Sequence, residues 1–486
     1  MIIRLLVSGF VVLSPGLALA SDINSGGCSQ TSVQSAVNSA VTGDRVLVPA
    51  CSASWSSSVT IQNKDITVQG AGAGSTVISG NGFSLRTSGS RVTGFTFTLG
   101  GGTMYVDDSR GFRFDHNTIT EPGWQFCIQI VGSLNGTRSN RPSEGLIDNN
   151  TMTNCRVVVF GENYSTGGSD RWAEPLDLGT AHAVYIEDNA FAVTNCPQGN
   201  SGVLCNFADS NTGGRFVARF NSIINSYFEA HSAGNNTRGT RLVEIYNNST
   251  TLQNYGSVVP VPGFYHPFFM RAGTHMIFHN TFNEDHSGTD TIDVDNERSY
   301  DTTITWGLCN GTRFVDSNVS GQSGRLCRDQ VGALGDQSYW GSPWSTPASV
   351  QIPGPSYQWR NTGPNGEIGH QLVNDPYSFK HIQANRDYFA YTASFTGTVG
   401  VGEGPLANRP STCTTGVGYW ATDQGEWNSR RSGADGQFYK CTSTNTWSLY
   451  YVPYAYPHPL QSGSSGVSSS VPSSPQNLRI SSSGGE

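Results

Sequence analysis

The sequence predicts an all-β solenoid of stacked coils, a parallel β-helix, and three observations carry that prediction. First, a short phrase recurs with an asparagine in a fixed place: FRFDHNTI (Phe112–Ile119), GLIDNNTM (Gly145–Met152), VYIEDNAF (Val184–Phe191), FVARFNSI (Phe216–Ile223), VEIYNNST (Val243–Thr250) and HMIFHNTF (His275–Phe282). The asparagines Asn117, Asn150, Asn189, Asn221, Asn248 and Asn280 stand 27 to 39 residues apart, a spacing that belongs to repeat architectures. Second, apolar and outward residues alternate within each phrase, so the repeat carries a strand rather than a helix pair. Third, the 486 residues include 58 glycines and only 13% charged side chains, which suits short strands and tight turns. Asparagine tolerates left-handed turns, and its amide can bond to the asparagine one coil above and below. The steps exceed what a bare coil needs. The surplus must be loops, and loops on one face of a solenoid often make a binding face.

The elements follow in order. Met1–Ala20 reads as a secretory leader, with Arg4, an apolar run from Leu5 to Leu13 and the cleavage pattern Ala18-Leu19-Ala20. The expected protein is therefore exported, extracellular or at the cell surface, and begins near Ser21. No later stretch is long and apolar enough to span a membrane. Val33, Ala36, Val37, Ala40 and Val41 share one helical face behind the capping residues Ser29 and Thr31. This predicts a short helix covering the open end of the first coil. Strands are expected at Arg45–Val48, Val59–Ile61, Ile66–Gln69, Thr76–Ile78 and Val92–Phe97, then through the repeats, then at Thr291–Val294 and Thr302–Trp306. Residues 21–400 are assigned to the solenoid and 401–460 to an irregular, aromatic-rich C-terminal extension. Residues 461–486 form a Ser/Gly-rich linker and an incomplete fibronectin-like tail. The proline-punctuated Tyr450–Leu460 is expected to lie back on the solenoid.

Ten cysteines in an exported chain read as disulfides. Pairing of sequence neighbours gives Cys28–Cys51, Cys127–Cys155, Cys196–Cys205, Cys309–Cys327 and Cys413–Cys441; the last would pin the extension. No C-x-x-C pair or adjacent histidine supports zinc. The net charge of −8 argues against nucleic acid. An acidic polysaccharide would need a local arginine patch or a bridging cation. Apart from Lys64, Lys380 and Lys440 the cations are all arginine, which grips carboxylates bidentately.

The segments SVQSAVNSAVTGDRVLVPA (Ser32–Ala50) and ITVQGAG (Ile66–Gly72), together with the asparagine phrases, resemble right-handed parallel β-helix proteins of the pectate-lyase-like superfamily. The likeness covers Gln30 to Tyr300. It is nearest to bacterial members of unassigned activity that end in a YPHPL-type tail, here Tyr456–Leu460. Polysaccharide lyases, polygalacturonase-type hydrolases, epimerases, esterases and non-enzymatic surface proteins share this scaffold; the leading expectation is a monomeric polysaccharide lyase cleaving or binding an acidic polysaccharide by β-elimination. A glycoside hydrolase on the same scaffold and a non-enzymatic glycan-binding surface protein are the alternatives, since fold does not fix function.

Two constellations are candidate sites. Two residues before each asparagine, an outward ladder reads Asp115, Asp148, Glu187, Arg219, Tyr246 and Phe278. Carboxylates on successive coils would stand about 5 Å apart and repel unless a cation relieves them. Ca2+ is the expected relief, in a layout similar to pectate-lyase-type enzymes, with Asp115, Asp148 and Glu187 as metal ligands. Arg219 or His231 would be the catalytic base, and Tyr185 and Tyr246 would contact substrate. The competing reading is a solvated surface ladder capped by Arg219. The second constellation, Tyr227–Glu244, gathers Glu229, His231, Arg238, Arg241 and Glu244. Arg238 and Arg241 could clamp a carboxylate, and His231 titrates near neutrality; local ion pairing is the bland alternative. His116 and His279 share a turn position, and His275 interrupts the apolar inward positions. Trp420 and Trp427 could stack sugars or form the core of a hairpin.

Overall fold

In the computed structural model the described residues are 20–132, 143–162, 175–196, 205–232, 238–253, 267–283, 291–294, 331–332, 354–372 and 382–462. The leader, the expected strand at Thr302–Trp306, the Cys309–Cys327 pair and the tail after residue 462 lie outside them.

Parallel strands stack into a β-helix with three faces. Sheet 1 holds twelve strands, from Asp22–Asn24 to Tyr388–Ala390, and includes every asparagine phrase. One short coil shows the winding. Arg215–Arg219 lies in sheet 1, Ser222–Ile224 in sheet 2 and Tyr227–Ala230 in sheet 3, after which the chain returns to Leu242–Tyr246 in sheet 1. The strands Thr118–Val131 and Thr151–Phe160 run through sheets 2 and 3 without a break. Surplus chain enters between sheets 3 and 1 (160 to 184) and between sheets 2 and 3 (192 to 206, 251 to 268). Sheet 3 is thus the face flanked by insertions.

Helix α1 (Gln30–Ser39) forms where predicted. Ser29 caps it by accepting from the Ser32 amide at 3.1 Å, and Val33, Ala36 and Val37 are buried. Its C-terminal carbonyls receive Lys64, whose Nζ donates to Val37, Asn38 and Ala40, the favourable place for a cation on a helix. Val41, expected on the buried face, is 56% exposed. The helix ends at Ser39 and Ala40 is already extended, so the helical periodicity no longer applies there.

The asparagine ladder is continuous from Asn117 through Asn361, a seventh member beyond the six phrases. Each Nδ2 donates to the next Oδ1, at 2.8–3.2 Å. Each backbone N–H donates to the same oxygen. The left-handed turn is made one residue earlier than the sequence reading supposed. His116, Asn149, Asp188, Phe220, Asn247, His279 and Arg360 all have φ between 53° and 58°. That places His116 and His279 in the turn role expected of them and frees the asparagine amide for the ladder. Replacing Asn189 with Ala removes donors to Ile147, Glu187 and Asn221 and strands the Asn150 amide. With buried unmade bonds costing about 1–3 kcal/mol each, urea unfolding should show a loss of roughly 3 kcal/mol. A loss under about 1 kcal/mol would deny the ladder its structural role.

The inward positions behave as predicted: Phe112, Phe114, Ile147, Val184, Ile186, Phe216, Val243, Ile245 and Ile277 join one long core. His275 is buried among them and its Nε2 bonds the Ala272 carbonyl at 2.6 Å. Burial pushes its pKa down to about 4, against that hydrogen bond, so it is a neutral core residue. Four predicted disulfides are present: Cys28–Cys51, Cys127–Cys155, Cys196–Cys205 and Cys413–Cys441. After the solenoid, strands Val401–Gly404, Gly418–Ala421, Gln437–Ser443 and Thr446–Tyr451 form a four-stranded sheet. The segment Tyr451–Ser462 then lies back across sheet 1, as expected. Among the described residues no helix is long and apolar enough to cross a membrane.

Candidate functional site

The outward ladder of sheet 1 is not open. Leu146, Tyr185, Val217, Tyr246, Met276, Phe278, Tyr357 and Trp359 form a second core with Trp420, Trp427, Phe438, Tyr451 and Tyr456 of the C-terminal region. Tyr246, Phe278 and Trp359 stack in sequence, with ring centroids 4.6 and 4.4 Å apart. Trp420 and Trp427 are therefore core residues and do not present a sugar-stacking surface.

The expected metal ligands Asp115, Asp148 and Glu187 do stand on successive coils, all with no exposed surface. Arginines from neighbouring coils relieve their repulsion. Arg91 binds Asp115, Arg113 binds Asp148 at 2.8 Å, and Arg219 binds Glu187 at 2.6 Å. Burial raises the pKa of Glu187 in spite of Arg219, while Arg91 and Arg113 overcome burial to lower that of Asp115. Glu187 also accepts from the His458 amide and from Gln461 Nε2. Arg219 donates to the Tyr454 and Ala455 carbonyls and to Tyr246 Oη. Tyr185 packs in a triangle of tilted rings with Tyr454 and His458. The ladder is a docking seam for the C-terminal segment. Arg219 as base, Tyr185 and Tyr246 as sugar contacts, and these three carboxylates as Ca2+ ligands find no substrate there, because the extension covers the face.

The second constellation divides. Glu244 lies on the sheet 1 seam, where it accepts from Tyr451 Oη at 2.7 Å and the Gly179 amide at 2.9 Å. Arg241 is buried, and its charge bears on Tyr450 of the C-terminal sheet. Arg238 is buried where the chain returns towards sheet 1, its carbonyl accepting from Thr212.

Glu229 and His231 instead face outward on sheet 3, and there they meet residues the sequence reading did not select. Strand Asn206–Asn211 pairs with Tyr227–Ala230 so that Asp209 lies beside Glu229, and the next strand brings Phe269 beside Glu229. His231 Nδ1 is 3.1 Å from Glu229 Oε1 and 3.4 Å from Asp209 Oδ2. Arg156 pairs with Asp209, and Arg271 pairs with Glu229 and lies 2.9 Å from His231 Nδ1. Asn206 Nδ2 and Tyr227 Oη donate to Glu229 Oε2, at 2.6 and 3.1 Å. Asp209 and Glu229 are buried, whereas the His231 side chain is 35% exposed. His231 is thus the group the cluster offers to a ligand.

Burial opposes charge on both titrating partners, and the neighbours outweigh it. Arg271, His231 and Arg156 hold the Glu229 carboxyl well below the usual carboxylate range. Asp209 and Glu229 push His231 up to about 9. A histidine raised from its ordinary value near 6.5 stabilises the fold fully below that value and loses the contribution as pH rises to about 9. Melting temperature should therefore decline across this alkaline window, and His231→Gln should flatten the decline. An unchanged slope in the variant would remove the His231 ion pairs from the account.

Asp209, Glu229 and His231 each offer a ligand atom, all within 4.8 Å of one another. The buried oxygens Asp209 Oδ1 and Asn206 Oδ1 have no hydrogen-bond partner among the described residues. Carboxylate, amide and imidazole donors with orphaned oxygens fit a divalent cation. A cation using His231 must displace its proton.

No protein-family model matches the chain, and no curated protein matches it in sequence. Three solved structures align with much of the chain at low similarity. A PL6 family polysaccharide lyase from Pseudopedobacter saltans is 14% identical with TM-score 0.34, over 76% of this chain and 92% of that one. An alginate lyase from Paenibacillus sp. str. FPU-7 is 11% identical with TM-score 0.25, over 72% and 99%. A PL6 family alginate lyase is 13% identical with TM-score 0.30, over 82% of this chain and 64% of that one. At these TM-scores and identities the alignments carry neither the fold nor an activity across.

Proposed function

We propose that this protein is an exported lyase that cleaves an acidic polysaccharide by β-elimination on the outward face of sheet 3. The observation that carries the reading is the contact of Asp209, Glu229, His231 and Arg271 on a face flanked by insertions, with His231 reaching solvent. Elimination from a uronate needs positive charge at the carboxylate, a base for the C5 proton and a proton for the leaving oxygen. Arg271 supplies positive charge beside His231. Glu229 and Asp209 orient the imidazole and favour its protonated state, so it holds the abstracted proton for the departing oxygen. Tyr227 and Asn206 fix the Glu229 carboxylate in turn. A Ca2+ ion held by Asp209, Glu229 and His231 would supply the positive charge at the carboxylate itself, and would take His231 out of proton transfer.

The two modes separate by experiment. With His231 as base, turnover of alginate or pectate persists in chelator. The rate rises with pH towards a plateau above about 9, because only neutral imidazole accepts a proton. Activity lost in chelator and restored by Ca2+ would overturn the base assignment and make the cluster a metal centre. Export is part of this reading, supported by the leader-like Met1–Ala20 and by the disulfides.

A further inference from the structure

The N-terminal approach to the charged cluster is built around an open ring. Phe126 is 40% exposed, the one aromatic among the large apolar side chains left open in the described residues. The backbone puts it there. Strand Thr118–Val131 loses register with Thr151–Phe160 twice, between Thr120 and Gln125 and again between Phe126 and Ile128. Such bulges re-aim side chains and cluster near active sites. Cys127 points into the core, fully buried and bonded to Cys155, so its neighbour Phe126 is turned outward.

Charge surrounds this ring in a pattern that repeats. Arg156, the register partner of Phe126, holds its guanidinium 4.9 Å from the ring centroid and pairs with Asp209. On the other side of the cluster Arg271 stands 4.8 Å from the Phe269 ring and pairs with Glu229. Each ring therefore lies beside an arginine that is also anchored to a site carboxylate. The Phe126 strand is three coils before the Glu229 strand, on the order of 14 Å along the solenoid axis at the usual strand spacing. A pyranose in an extended chain advances by about one such spacing, so a polymer laid along the axis keeps step with the coils.

We propose that Phe126 is a stacking platform for a pyranose ring of the acidic polysaccharide, one or two sugars from the reaction centre to which Arg156 links it, with Arg156 beside it for that sugar's carboxylate. This rests on the lyase reading of the sheet 3 cluster. The apolar C–H face of the sugar covers the exposed ring, as aromatic side chains line ligand sites generally. The guanidinium suits a planar carboxylate.

The test compares Phe126→Ala, Phe126→Leu and Phe126→Trp in the full chain, on long alginate or pectate and on short oligomers of the polymer that is cleaved. Melting curves check that the neighbouring Cys127–Cys155 coil remains intact. The expected result is a KM for polymer raised about tenfold in the Ala and Leu variants, kcat little changed, and near-wild-type KM in the Trp variant. Short oligomers that do not reach Phe126 should show no difference. Equal KM for polymer in wild type and Phe126→Leu, or failure of Trp to restore it, would overturn the platform while leaving the lyase reading intact. A wild-type protein that neither cleaves nor is retarded by any acidic polymer in a gel overturns both.

Discussion

Arg219→Ala should lower the unfolding free energy by about 3–5 kcal/mol, the cost of stranding one member of a buried ion pair. Arg219 has no exposed surface. Its guanidinium holds Glu187 at 2.6 Å and the Tyr454 and Ala455 carbonyls at 2.6 and 2.8 Å. It also lies 4.8 Å from the Tyr185 ring and 5.1 Å from that of Tyr456. One side chain thus joins two coils of the solenoid to the returning C-terminal segment. Truncation leaves the Glu187 carboxyl buried without its partner and two carbonyls without their donor. Arg219→Lys keeps the charge and loses the planar fork, so it should recover only part of the stability. Urea unfolding gives the magnitude, and limited proteolysis after Tyr451 reports whether the segment lifts. A variant within about 1 kcal/mol of wild type, with the segment still protected, would contradict the docking seam.

His231→Gln should lower kcat/KM by about 10²–10⁴, the usual share of a positioned acid or base. Glutamine can still hydrogen-bond, so the loss belongs to proton transfer rather than to the shape of the cluster. The alkaline rise expected of wild type, set by a His231 pKa of about 9, should vanish with it. KM should change little, because Arg271 remains paired with Glu229. A variant with full activity and the same pH profile would take His231 out of the reaction.

The solenoid was legible because its repeat is written in residues with one physical role. The asparagines must bond to one another, and the positions three and five before them must fill a core. The eight-residue phrase describes sheet 1 alone, however. Outward positions were read as facing solvent, but Tyr246, Phe278 and Trp420 occupy one buried cluster. Alternation cannot tell water from a second layer of protein. The partner layer comes from residues far away in sequence, 207 positions in the Tyr451–Glu244 contact. In the candidate site His231 was legible from its titrating side chain. Asp209, Arg156 and Arg271 were not. Insertions on both sides of sheet 3 destroy any constant offset from the asparagines, so nothing in the sequence aligns NFADSN with YFEAH and FFMR. The alternation within those three segments was the available signal, and only the pairing of strands gives it a register.

The central claim is that β-elimination occurs at the sheet 3 cluster. It is tested most directly by following unsaturated uronate ends while wild type and Glu229→Gln are incubated with alginate, pectate and glycosaminoglycans. Glu229 lies at the centre of the cluster, in contact with His231, Arg271, Asn206 and Tyr227. The account predicts unsaturated ends from at least one polymer with wild type, and a rate at least about 10²-fold lower with the folded variant. Reducing ends without unsaturation, no product from any polymer, or an undiminished rate in Glu229→Gln would contradict it.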